Sequence, residues 1–319
     1  MQSALVPALV VALHASPLDA QVAQSAGLSP SPVLPPSGQP SLEGQFVYLG
    51  PTVHELTVFY PLRGPDGKLA GYGKVIRIPL GNGVSPQVSV TLRRNPDGTF
   101  LYSYSVANLS GARQALAQWS LPVPAGVGTV GAPPGWQVTA DGPIDSDYRP
   151  QGPEQMSPLR RTVILTWSTE RALAPGEVRE GFTIRSSFAP GALIQAFATA
   201  GELQIPGDLP EEVRKQLEPW QRPEWRARAA WVIGPRYPAN FPRNLVAHEF
   251  STALNVRLSE RELDANSRFV QEAAAQLQAM AVAEQLPGAA SGDLRFLSLA
   301  ASAKEKELAE AIRLALFAP

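Results

Sequence analysis

A chain of 319 residues with 27 Lys+Arg against 28 Asp+Glu carries a formal charge of −1, so it lacks the cationic excess that non-specific nucleic-acid binding draws on. Cysteine is absent, which excludes disulfides, thiolate metal sites and cysteine nucleophiles together. Charged residues make up only 17% of the chain, while 26 glycines and 32 prolines suit a turn-rich β-protein.

The first twenty residues hold an apolar run from Ala4 to Leu13 followed by small residues up to Ala20. That run is too short to span a bilayer and reads as a secretory signal peptide over 1–20. Export to the periplasm or the cell exterior is therefore expected. Residues 21–44 are dominated by Pro, Ser and Gly and read as an extended linker. No later stretch is long and apolar enough for a membrane helix.

From 45 to 203 nearly every signal is β. Leu56, Val58 and Tyr60 alternate with Glu55, Thr57 and Phe59, and Gly64-Pro65-Asp66-Gly67 makes a turn. Ile76, Ile78 and Leu80 follow, then Val88, Val90 and Leu92 alternating with Ser89, Thr91 and Arg93. Asn95-Pro96-Asp97-Gly98 is turn chemistry: proline presets φ, aspartate bonds its own backbone and glycine tolerates φ > 0. After it Phe100, Tyr102, Tyr104 and Val106 share one face, with Ser103, Ser105 and Ala107 on the other, which predicts a hairpin. Trp119 and Leu121 mark a strand ended by Pro122 and Pro124, and further strands are expected at Trp136–Val138, Val163–Trp167 and Phe182–Ser186. Many short strands without intervening helices predict an antiparallel sandwich or barrel.

The aromatic hairpin ending at Asn108, then Trp136, then Trp167 before Leu173-Ala174-Pro175-Gly176, and Gly181-Phe182 through Ser186-Ser187 to Pro190-Gly191, resemble a module recurring in exported bacterial proteins that are largely uncharacterised. The resemblance covers about half the chain and implies an immunoglobulin-like β-sandwich and export. Its motifs are turn glycines and core aromatics, so no catalytic residue is implied.

Beyond the sandwich, residues 204–242 hold a short helix from Pro210 through Leu217 and a Pro/Trp-rich stretch, and read as a connector. Residues 243–319 are expected to be helical. Leu245–Leu258 is one candidate helix. A second is expected to start at a capping box, Ser259-Glu260-Arg261-Glu262. A third, returning, helix carries the stripe Leu294, Leu297, Ala301, Leu308, Ile312 and Leu316 after Pro287-Gly288 and Ser291-Gly292.

Recognisable chemistry is sparse. Of three histidines, His14 falls in the signal, while His54 and His248 each lack a second histidine four residues on, so the helix-borne zinc pattern is missing. Gly126–Gly131 spells G-x-G-x-x-G, but Pro133-Pro134-Gly135 follows and forbids the helix a dinucleotide site needs. Asp141, Asp145 and Asp147 place three carboxylates in one loop and could offer oxygens to calcium. Trp220, Trp225 and Trp231, interleaved with Arg222, Arg226 and Arg228, could make a sugar-stacking platform or seal an interior. The sequence therefore points to an exported, non-enzymatic binding or structural module with a protein or polysaccharide partner. A calcium- or carbohydrate-binding extracellular module is the alternative, and a secreted hydrolase using acidic residues a further one.

Overall fold

Two stretches spelled x-Pro-Asp-Gly close hairpins with the same hydrogen bonds. The computed structural model that shows this describes residues 33–35, 37–40, 42–50, 54–144, 162–200, 205–221, 227–238, 241–282 and 295–317. Gly98 N donates to Asn95 O at 3.0 Å and Asn95 N to Thr99 O at 2.7 Å; Gly67 N donates to Gly64 O and Gly64 N to Lys68 O, both at 2.9 Å. Gly98 and Gly67 sit at φ 82° and 75°, where a Cβ is strained. Asp97 and Asp66 each accept the amide two residues on, from Thr99 and Lys68, at 3.1 Å.

Contacts divide the chain into two units, Met1–Pro79 with Gln204–Glu224, and Leu80–Leu203 with Trp225–Pro319. In the first, β1 (Val47–Leu49), β2 (Glu55–Arg63) and β3 (Leu69–Pro79) form a sheet in that order. Helix α1 (Glu211–Leu217) and a 3-10 turn (Glu218–Gln221) complete it. Gln216 ties the helix to the start of β1: its Oε1 accepts Phe46 N at 2.9 Å and Val47 N at 3.2 Å, and its Nε2 donates to Gly44 O at 2.8 Å. Of the boundaries expected at 203 and 242, the contacts also part at 203 but next at 224. They group β1–β3, expected as part of the sandwich, with the short helix of the connector, where Gln216, Asp208 and Glu212 all hydrogen-bond to this sheet or its approach.

The second unit contains the sandwich. One sheet has the order β4-β5-β10-β7, from Pro86–Arg94, Phe100–Asn108, Val178–Ser186 and Thr129–Gly131. The other runs β12-β11-β6-β9-β8, from Arg228–Tyr237, Ala189–Thr199, Leu116–Pro124, Thr162–Leu173 and Gln137–Ala140. All pairings are antiparallel. These spatial orders are those of an immunoglobulin variable-type domain, A-B-E-D facing G-F-C-C′-C″. The path differs between C and E: β7 fills the D place first, and β8 and β9 then fill C″ and C′ in reverse. The chain is thus a mainly β protein with an immunoglobulin-like antiparallel sandwich, followed by helices.

Between the sheets Trp119 of β6 stacks on Trp167 of β9 at 4.2 Å, with Phe182 edge-on at 5.2 Å and Tyr104 at 5.6 Å. All four are buried to within 1%. Trp167 donates its indole N–H to Gly131 O at 3.0 Å. Large aromatics on adjacent strands thus fill the interior where antibody domains use a disulfide and one tryptophan.

Two expectations about prolines are corrected. Pro122 lies inside β6, paired with Ile164 of β9, and does not end it; Pro124, paired with Thr162, is the last residue of the strand, as expected. β11 meets β6 only at Gln118–Ser120, so the missing proline amides face no ladder partner. Likewise Arg228–Tyr237, read as connector, is strand β12, with Pro235 at a register shift on an edge strand.

The helices are α2 (Arg243–Ser259), α3 (Arg268–Val282) and α4 (Ala303–Phe317), with a 3-10 turn at Arg295–Leu299. Val246, Phe250 and Leu254 of α2, Phe269 and Leu277 of α3, and Leu308 and Ile312 of α4 join the same buried cluster as the sandwich aromatics. Arg236 Nε and Tyr237 Oη of β12 both donate to Glu249 of α2 at 2.7 Å, and burial pushes the Tyr237 phenol up.

Ser259 is the last residue of α2 and starts no helix. Glu262 N reaches back to Arg257 O at 2.9 Å and Arg261 N to Leu258 O at 3.0 Å, with Arg261 at φ 59°. This is a Schellman stop with arginine in the left-handed position where glycine is usual. The capping box sits at Ser302–Glu305 instead: Glu305 N donates to Ser302 Oγ at 3.2 Å, and Ser302 N donates to Glu305 Oε2 at 2.9 Å. The expected helix from Leu294 accordingly begins at Ala303. Because left-handed backbone costs a β-carbon residue about 1 kcal/mol, partly offset by glycine's extra chain entropy, Arg261→Gly is expected to raise stability by about 0.5 kcal/mol or more in urea unfolding; a loss would contradict the motif.

Candidate functional site

The residues singled out in the sequence are dispersed. Asp141 is exposed, and its Oδ1 accepts Ile164 N at 2.7 Å, holding the loop onto β9. Asp145 and Asp147 lie outside the described residues. Among the described residues no three His, Asp or Glu side chains gather as metal ligands would. Trp220 lies in the first unit with 0% exposure, so its ring face is closed to a sugar. Trp225 lies outside the described residues, and Trp231 is half-buried on β12. His54 belongs to the first unit, and His248 is exposed on α2 in the second. His14 is outside the described residues.

The G-x-G-x-x-G stretch forms β7 and its approach, with no helix after it, as its prolines required. Gly128, at φ 112°, has no room for a side chain: a Cβ would lie 2.3 Å from Arg185 O. Gly128 and Gly131 serve close approach to β10.

The buried acids that sequence reasoning missed are engaged in holding the fold. Burial alone would raise the Glu305 carboxyl, but hydrogen bonds from Ser267, Ser302 and Ala301 hold it below its ordinary value. Glu307, two residues on, is raised because burial outweighs the pull of Arg257, of Val90 N and of Lys304. Its Oε2 accepts Val90 N at 3.1 Å, which caps an amide on edge strand β4. Only the Ser302-x-x-Glu305 spelling could have flagged any of this.

The outer face of β4-β5-β10 is the surface with a built pattern. Register places Ser89, Ser105 and Glu180 in one row, Thr91, Ser103 and Thr183 in the next, and Arg93, Leu101 and Arg185 beyond. Five hydroxyl residues thus form a two-row grid about 4.8 Å apart across strands and about 6.8 Å along them. One end is fenced by the hairpin turn: Arg185 pairs with Asp97 and donates Nε to Thr99 Oγ1 at 3.2 Å. Hydrogen bonds from Thr99 first, then Arg185, hold the Asp97 carboxyl down at about 2. The aromatic side of these strands faces inward, so the grid stands on a rigid support.

No family model matches the sequence, and no curated protein matches it. Among solved structures the chain is similar to an uncharacterised protein from Nocardia farcinica, whose crystal structure is described as revealing an immunoglobulin-like fold. The likeness covers 46% of this chain and 96% of that one, at 16% identity and a TM-score of 0.24. The sandwich assignment stands on strand order alone.

Proposed function

We propose that the chain is a non-enzymatic binding module acting outside the cytoplasm, which holds a hydroxyl-rich polymer, a polysaccharide, against the outer face of β4-β5-β10. The observation that carries this reading is the Ser/Thr grid: five hydroxyl donors and acceptors, with Glu180 at the end of one row, set in register on strands whose other side is packed hydrophobic core. Hydroxyl arrays of this kind match extended sugar chains in hydrogen-bonding capacity, and rigid support limits the entropy lost on binding. The apolar run Ala4–Leu13 supports export, and the buried acids Glu305 and Glu307, engaged by backbone amides, support a structural role for those carboxylates. Retention on insoluble polysaccharides (peptidoglycan, chitin, cellulose) tests the reading. At least one should retain the purified chain, and Ser103→Arg with Ser105→Glu, both on the outward side, should weaken retention about tenfold or more at unchanged melting temperature. Equal retention by the variant, or release of reducing ends from the polymer, would refute it.

A further inference from the structure

Arg257 of α2 is 3% exposed, yet its Nε and Nη2 meet no hydrogen-bond acceptor among the described residues. Its ionic partner is Glu307 of α4, with Nη2 and Oε1 3.8 Å apart, beyond hydrogen-bond reach. The other Glu307 oxygen is taken by Val90 N at 3.1 Å. Tyr104, on β5 directly opposite Val90, also buries a hydroxyl with no partner among the described residues. Burial first, and then the charge of Glu307, raise the Tyr104 phenol, which puts it within electrostatic reach of that carboxylate. Three donors and one carboxylate oxygen on two helices and a strand are thus desolvated and incompletely bonded. Buried polar groups left so are costly, and an enclosed water making about three hydrogen bonds is the common remedy.

We propose that Arg257, Glu307 and Tyr104 enclose a bound water molecule, and that this water is the joint fastening α2 and α4 to strand β4. Two groups 3.8 Å apart can both be reached by one oxygen lying off the line between them at about 2.8 Å from each. The occupant must accept from the guanidinium and donate to the carboxylate, and water does both. An anion meets the Glu307 charge, and a cation meets Arg257. The remaining charges beside the cluster, Lys304 and Glu262, are paired with each other at 3.2 Å and leave the site neutral overall.

A crystal structure at about 1.8 Å resolution or better tests this directly. Density within about 3.2 Å of both an Arg257 nitrogen and a Glu307 oxygen supports the joint, and a direct Arg257–Glu307 hydrogen bond with nothing beside it overturns it. Tyr104→Phe gives a second readout that keeps the ring. Its melting temperature should fall by about 2–4 °C if the hydroxyl bonds the enclosed water; an unchanged or raised value overturns the tyrosine's part in it.

Discussion

Trp119→Ala is expected to destabilise the second unit by about 3–5 kcal/mol in urea unfolding, enough to remove much of a domain's stability. The indole fills the centre of the interior, against Trp167 at 4.2 Å and Phe182 at 5.2 Å, and close packing leaves little freedom for collapse around the void. The two stacked tryptophans should differ when made phenylalanine. Trp167 donates to Gly131 O at 3.0 Å, so Trp167→Phe strands a carbonyl. Trp119 Nε1 has no acceptor among the described residues, so Trp119→Phe strands nothing. Trp167→Phe should therefore cost about 1 kcal/mol more than Trp119→Phe. Equal costs would mean that the Trp167 bond contributes nothing.

Arg257→Met and Glu307→Gln should each cost about 3–5 kcal/mol alone, since each leaves the other group buried without its partner. Made together they should cost well below the sum, because the charge pair goes and glutamine still accepts from Val90 N. Urea unfolding of all four proteins gives the coupling directly, and additive costs would contradict the pairing. The two acids of α4 also respond oppositely to pH. Glu305, lowered in the folded state, contributes stability that is present above its unfolded value and lost as pH falls through the folded one. Glu307, raised, binds its proton more tightly when folded, so its contribution grows as pH falls through the folded value.

The strands were legible in the sequence wherever one face met the core and the other met solvent, as in Phe100–Asn108, because the side-chain period is two. Strand β12 was hidden for the opposite reason. Val232, Ile233, Gly234 and Pro235 are buried consecutively, leaving no alternation to read, and its proline spoke against a strand. The Ser-x-x-Glu spelling occurs at both 259 and 302, and local sequence does not separate them. Burial of the Glu305 carboxylate beside Ser267 makes one a cap, while the left-handed Arg261 makes the other a stop. Of the candidate binding face, the small hydroxyl residues were visible along each strand. The pairing of Ser89 with Ser105 and of Thr91 with Ser103 follows from the hairpin turn, but the place of Thr183 was hidden, because it depends on the register of β10, including its bulge between Glu180 and Phe182.

That the sandwich closes over its aromatic interior, leaving recognition to its outer surface, is tested most directly by hydrogen exchange of the Trp167 indole N–H. Exchange only through global unfolding, with a free energy equal to that from urea, is the expected result. Exchange within minutes under native conditions would mean that solvent reaches the space between the sheets, and would contradict it.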